Sequence, residues 1–338
     1  MIQKEKHYPG NPLSLLTDKK ADNNIMKRTE LKYTYLAGVI ILSIVFMPLT
    51  GVYSSDGPGS TAASYLTLPV SPKSAAMGEA GVSLNTQFAL FYNPALLDSV
   101  KGKDGLGISH SEWIMDTRYD NLSYHRYISE RMTVGVGLTY LYRPEIEGYD
   151  QSGPTGQTYN CNSYQAIAGL QYSFAKSISV GLNLKYFREN LGDWSSGGIA
   201  ADIGFLYRNE KYGFSSGVVV QNLGPDIKFD IREEPIPMTI RAGVSQTIDI
   251  EKDKLSFTLA ADAVKVRYRE IYLSTGAEIE LSRIFRVRAG YCGEKFRPGD
   301  GLSIGAGISI RDNLIFDYSY SPYGELGDFH RVALHFSR

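Results

Sequence analysis

The chain is 338 residues long, with 35 Lys and Arg against 36 Asp and Glu and a formal net charge of -1. That balance leaves no global field to draw nucleic acid or an anionic surface. A mean hydropathy slightly below zero excludes a bundle of membrane helices, but not a membrane β-barrel, because only every second residue of a barrel strand faces lipid.

Residues 1–25 read as a doubtful extension ahead of Met26. From there the order is basic (Lys27, Arg28, Lys32), apolar (Tyr35 to Leu49) and small (Gly51, Ser54, Ser55). This is the order of a cleaved export signal, placed at 26–55. The apolar run carries Pro48 and is shorter than the ~20 residues of a spanning helix, so a permanent anchor is the weaker alternative.

Residues 56–103 form the next unit and do not alternate. They contain Pro69, Pro72, Met77 and Gly78, then FALFYNPALL from Phe88 to Leu97. That much apolar side chain disfavours a free tail. A periplasmic segment that plugs a barrel lumen is expected.

From Asp104 to Arg338 apolar residues recur with period two. Met132, Val134, Val136, Leu138 and Tyr140 alternate with Thr133, Gly135, Gly137 and Thr139; Ile178 to Tyr186 and Leu302 to Ile310 repeat the pattern. The runs exceed ordinary globular strands and fit the ~10 residues of a tilted membrane strand. Fourteen strands are predicted: 104–112, 117–127, 131–143, 160–174, 177–189, 196–208, 211–222, 237–250, 254–266, 270–282, 284–292, 301–311, 313–321 and 328–338. The fold class is therefore all-β, a transmembrane antiparallel barrel over 104–338 with an N-terminal lumen plug.

The connections support that topology. Short ones (Ser129-Glu130, Ala175-Lys176, Asn209-Glu210, Glu251-Lys252-Asp253, Arg283, Asp312) alternate with longer ones (143–160, 190–195, 223–236, 293–300, 322–327). Bacterial outer-membrane barrels do this because periplasmic turns are tight and extracellular loops long. A soluble sandwich, the alternative, has no reason to alternate so regularly. Tyrosines near strand ends, among them Tyr119, Tyr127, Tyr140, Tyr142, Tyr172, Tyr186, Tyr272 and Tyr323, would form interfacial girdles.

SAAMGEAGVSLNTQFALFYNPALL at 74–97 resembles the N-terminal hatch of FadL-like outer-membrane proteins, where a Met-Gly element precedes Asn-Pro-Ala. More narrowly the chain is similar to the PorV/PorQ family, through GLNLKYFREN at 181–190, ADIGFLY at 201–207, VVQNLGPDIKF at 219–229, RAGY at 288–291 and DYSYSPYGELGDFHRVAL at 317–334. The resemblance runs from about Ser71 to Phe336. It implies a fourteen-stranded hatch-plugged barrel in the outer membrane. One branch of the family serves type IX secretion by binding a translocon and cargo; another passes long-chain fatty acids and other hydrophobic compounds. The motif here reads Asn93-Pro94-Ala95-Leu96, where FadL-like hatches carry Gly or Met after the alanine. That departure counts against fatty-acid transport in particular.

Chemistry-bearing motifs are few. Gly301-Leu302-Ser303-Ile304-Gly305 matches a nucleophile elbow, but it sits inside an alternating strand rather than a strand–turn–helix. His110, Ser111 and Glu112 are strand neighbours that point to opposite faces, and His125, His330 and His335 read as strand or rim residues. No catalytic residue is assigned and no enzyme is expected. No Cys or His pair has metal-ligand spacing, and no cofactor is implied. Cys161 and Cys292 map to extracellular ends of the fourth and eleventh strands, nearly across the barrel, and are expected to be free. Charges at membrane depth are costly toward lipid, so Lys185, Asp202, Arg241, Asp262 and Asp317 are expected to face the lumen and pair there.

Two functions follow as expectations. The first is a secretion-associated barrel that binds a translocon or exported cargo protein through loops 143–160 and 223–236. The alternative is a transporter of hydrophobic small molecules, with Met77, Gly78, Phe88, Leu90, Phe91, Asn93 and Pro94 as hatch and ligand-lining residues. Membrane lipid is the common partner; nucleic acid is not one.

Overall fold

The computed structural model describes residues 61–99, 102–229, 232–295, 297 and 299–338. The extension at 1–25 and the export signal at 26–55 lie outside the described residues.

Alternation over 104–338 becomes a closed antiparallel sheet. The strands, in chain order, are β1 (Asp104–Glu112), β2 (Arg118–Ser129), β3 (Met132–Tyr142), β4 (Ile146–Asp150), β5 (Gly153–Tyr159), β6 (Cys161–Ala175), β7 (Ile178–Leu191), β8 (Trp194–Asn209), β9 (Phe214–Leu223), β10 (Ile227–Phe229), β11 (Arg232–Glu234), β12 (Thr239–Glu251), β13 (Leu255–Val266), β14 (Tyr272–Leu281), β15 (Phe285–Cys292), β16 (Leu302–Arg311), β17 (Leu314–Pro322) and β18 (Asp328–Ser337). Fourteen of them close the barrel, each paired with its neighbours in sequence order, and β1 pairs with β18 from Gly105↔Ser337 to Glu112↔His330. All fourteen predicted strands are present, with ends shifted by a few residues.

The remaining four strands were expected to be loop. β4 and β5 form a two-stranded hairpin within 143–160, and β10 and β11 another within 223–236. Neither shows an apolar alternation, since almost every residue of β4 and β5 is exposed. Ile227 of the second hairpin and Ile236 after it turn inward onto a cluster with Phe187 and Ala200, while Gly224, Pro225, Asp226, Lys228, Arg232 and Glu233 of the same loop stay exposed. The predicted connection at 190–195 is also shorter. Pairing continues to Leu191↔Trp194, and Gly192 makes the turn at φ +62, a conformation glycine adopts without steric cost.

The wall has inverted polarity. Outward-facing Val136, Leu138, Leu182, Leu184, Ile203 and Ile304 are half exposed, whereas inward Thr133, Thr139, Asn183, Lys185 and Ser303 are buried. Removing a large aliphatic side chain from water gains about 1.5–3 kcal/mol, so this face is stable only against hydrocarbon. Tyr140, Tyr142, Tyr172 and Tyr186 stand outward on that wall. Tyr119, Tyr272 and Tyr323 do not join a girdle: all three are buried. Tyr119 has the inward register, opposite Ser111 of β1 and Leu141 of β3, and Tyr323 packs edge-on against Phe329.

Candidate functional site

The inner face of a fourteen-stranded barrel is too wide for its own side chains to fill. Here residues 61–99 occupy the space. They make a 3-10 turn at Ser64–Thr67, a short helix at Pro72–Ala76, another at Ala89–Tyr92 and a 3-10 turn at Pro94–Ser99. The second of these begins where Ser71 Oγ accepts a hydrogen bond from the Ser74 amide, with proline in the first turn, the position where its missing N–H costs nothing.

Contact between segment and wall is made through glycines. A glycine in a strand marks a place where another backbone comes close. A Cβ on Gly290 would lie 2.1 Å from the Gly78 amide nitrogen, one on Gly276 2.5 Å from Met77 Cα, and one on Gly181 2.3 Å from the Ala95 amide nitrogen. Gly204 and Gly217 leave the same kind of room for Asn93 and Val82. Gly78 is itself constrained, with φ +68 and the backbone oxygens of Thr275 and Tyr291 where its Cβ would stand. Met77-Gly78 and Asn93-Pro94 are thus the two places where the segment's main chain lies directly on the sheet.

Hydrogen bonds fix the same contacts. Asn93 Nδ2 donates to the carbonyls of Val82 (2.9 Å) and Phe205 (3.2 Å), while its Oδ1 accepts from the Ala95 amide (3.0 Å). Asp262 Oδ2 of β13 accepts from the amides of Gly81 (2.7 Å) and Val82 (3.0 Å). Tyr92 Oη accepts from the amides of Val70 and Ser71, and Asn183 Nδ2 donates to the Leu90 carbonyl. Backbone groups of the segment that would otherwise be buried without partners are satisfied by the wall.

All five predicted lumen charges are buried, but they do not form one site. Lys185 and Asp202 pair at 2.8 Å; Asp202 also accepts from Asn183 Nδ2 and the Asn222 amide, and Lys185 donates to Asn222 Oδ1. Asp317 belongs to a second network with Arg288 at 2.6 Å and His335 at 2.9 Å. Arg288 continues to Glu278, which also takes Lys73 of the segment at 3.2 Å. Arg241 lies within electrostatic reach of Asp262 and Glu79, while its Nε and Nη1 make no hydrogen bond within the described chain.

Several members of these networks were not singled out from sequence. Glu278 and Arg288 occupy the inward register of otherwise alternating strands, which was the available signal; Arg331, also buried, stands outside these networks over the Phe329 ring. Glu79 and Arg297 offered none, because their pairing at 2.7 Å joins the segment to the loop after β15. Burial opposes the Arg297 charge, yet Glu79 together with Tyr323 and Cys292 outweighs it and holds the guanidinium above its usual range.

The hatch aromatics are distributed rather than gathered. Phe88 is fully buried, edge-on to His335 at 5.3 Å; Leu90 packs with Leu96, Leu97, Ile167 and Leu206; Met77 packs with Ala80, Leu84 and Ala260. Phe91 lines a cavity of about 20 Å³ together with Leu66, Leu68, Tyr92, Gln221 and Arg241. Such a space holds about one water molecule. Beside it β9 bulges, Gln221 and Asn222 together facing Asp202. Ser303 is a buried strand residue bonded to Ser321 and Arg297, without the turn that a nucleophile elbow requires. Cys161 and Cys292 are both free and buried.

Comparison with known proteins places this geometry. The family described as type IX secretion system protein PorV matches residues 58–267. Among solved structures, the CymD monoaromatic hydrocarbon channel is similar at 16% identity and a TM-score of 0.53, covering 79% of this chain and 96% of that one. The Ralstonia pickettii toluene transporter TbuX is similar at 13% identity and 0.54, covering 78% and 96%. A Pseudomonas aeruginosa FadL homologue follows at 10% identity and 0.52, covering 80% and 99%. At these identities the likeness carries the fold alone. No curated protein sequence matches the chain.

Proposed function

Because the chain belongs to the PorV family of type IX secretion system proteins, barrels of the outer membrane, we propose that it docks proteins for that apparatus while residues 61–99 keep its lumen shut. The observation that carries this reading is the fit of Met77-Gly78 and Asn93-Pro94 against wall glycines. Main chain lying on main chain at these two places supports a shut lumen over a bore for a solute. Function then falls to the outer surface, where the β4–β5 hairpin presents Ile146 and Tyr149, 54% and 68% exposed.

The test is purification from native membranes with mass spectrometry of what accompanies the barrel. A large secretion protein should accompany the intact chain and be lost when 146–159 is replaced by a short turn, while the barrel still migrates as folded in unheated gels. An unchanged partner set would sink the docking role of the hairpin.

A second reading, passage of hydrophobic small molecules, draws on the Phe91-lined cavity and the adjacent β9 bulge. It requires that cavity to widen greatly. Recovery of a fatty acid or aromatic compound, lost in Phe88→Asp and Phe91→Asp, would favour it over the docking role.

A further inference from the structure

The small cavity beside Phe91 borders a charge that the lumen leaves unmatched. Arg241 of β12 lines it and is only 6% exposed, and its Nε and Nη1 make no hydrogen bond within the described chain. A guanidinium does not shed its proton to escape burial, and a buried charge without a partner is strongly destabilising. Other buried cations have theirs: Lys185 pairs with Asp202, Arg288 with Glu278 and Asp317, and Arg297 with Glu79. Arg331, fully buried over the Phe329 ring, also leaves its Nε and Nη2 without a hydrogen bond. Tyr92, another lining residue, lies within electrostatic reach of both Arg241 and Arg331. The carboxylates that act on these two arginines are Glu79 and Asp262. Glu79 Oε1 is engaged by Arg297, and Asp262 Oδ2 by the amides of Gly81 and Val82. Three guanidiniums therefore share two carboxylates, and the surplus positive charge stands at the cavity.

We infer that this cavity is a halide site, taking chloride, in which Arg241 of the wall holds the ion against the plugging segment. Its volume of about 20 Å³ admits one particle of about the size of water and is too small for a fatty acid or an aromatic hydrocarbon. A water molecule gives the guanidinium an acceptor but leaves its charge uncompensated; a compact anion supplies both. The same surplus charge repels a cation. Leu66, Leu68 and Phe91 make the other side of the cavity apolar. Apolar walls strengthen the attraction between ion and guanidinium, and they suit a weakly hydrated halide better than a strongly hydrated sulfate or phosphate. Because those three residues belong to the segment and Arg241 to the barrel, the bound ion fastens one to the other. Thr239, the first residue of β12, also lines the cavity, which puts the fastening at the long-loop end of the lumen. This inference is independent of the docking role.

The experiment uses the parent barrel, crystallised with bromide in place of chloride. An anomalous bromide peak is expected beside Arg241 Nε or Nη1; its absence overturns the inference, as does an organic molecule in its place. In detergent solution, chloride is titrated against gluconate at fixed ionic strength, so that general screening stays constant. The unfolding midpoint should rise with chloride and then saturate, as binding to the folded state requires. Arg241→Gln should abolish that rise, and Arg241→Lys, which keeps the charge, should retain part of it. A bromide peak without any chloride dependence of the parent midpoint means an adventitious ion only and overturns the proposal. An equal chloride dependence in the parent and Arg241→Gln barrels overturns it too. Should Arg241→Gln fail to fold, the bromide peak and the parent titration still decide. None of these results bears on which protein the hairpin binds.

Discussion

Asn93 and Gly204 fit so closely that a Cβ on Gly204 would lie 2.0 Å from Asn93 Oδ1. The Asn-Pro-Ala turn is therefore matched to a missing side chain on β8. The same relation holds between Gly78 and Gly290, but there the crowded atom is a main-chain nitrogen.

That difference yields an order of severity. Gly204→Ala meets a side chain that can shift, whereas Gly290→Ala meets backbone that cannot. Overpacking of this kind costs about 1–3 kcal/mol, and Gly290→Ala should lie at the upper end. Urea unfolding of the barrel in lipid vesicles measures both. Equal and negligible losses would show that the segment is not held against the wall.

Asp262 holds two main-chain amides. Asp262→Ala leaves those of Gly81 and Val82 buried without an acceptor, at about 1–3 kcal/mol for each. Hydrogen exchange at these two amides should quicken sharply, and planar-bilayer recordings should show transient openings absent from the parent barrel. Asp262→Asn, which keeps an acceptor oxygen, should fall between the two.

The Lys185–Asp202 pair is closed off from water on both sides. Lys185→Met alone strands a buried carboxylate and should cost about 3–5 kcal/mol. Adding Asp202→Asn should recover part of that loss. A double-mutant cycle reads the coupling, and strict additivity would mean that the pair does not interact.

Orientation of the wall is tested on β7 by two neighbours. Leu184 points outward and is 60% exposed, so Leu184→Arg places a charge in lipid, at about 2–4 kcal/mol near the bilayer midplane. Leu184→Phe keeps the face apolar and should be nearly silent. Folding yield into vesicles distinguishes them, and equal yields would contradict the outward register.

The barrel was legible in sequence because its signal is local. Period-two alternation in β3, β7 and β16 states both the strand and the face, and the inward Gly and Thr of β3 were visible as its small, polar side. The β4–β5 hairpin left no such trace, since neither of its faces is buried. The site was less legible. Lys185 and Asp202 could be placed in the lumen by register, yet their shared partner Asn222 depends on a bulge that no periodicity shows. Arg297 reaches Glu79 across most of the chain, a contact set by the path of the segment. Phe88 and Phe91 lie three residues apart, and only the course of the backbone decides that one is sealed in and the other borders a cavity.

The seam between β1 and β18 bears on how the molecule comes to exist. Gly105 pairs with Ser337, so the first strand made waits for the last. Until then two long strand edges stand open, each able to pair with a foreign strand. Loop closure over such sequence separations is intrinsically slow. Assembly is thus a race between seam closure and misassociation, and it favours a cell that shields the half-built sheet until its final strand arrives.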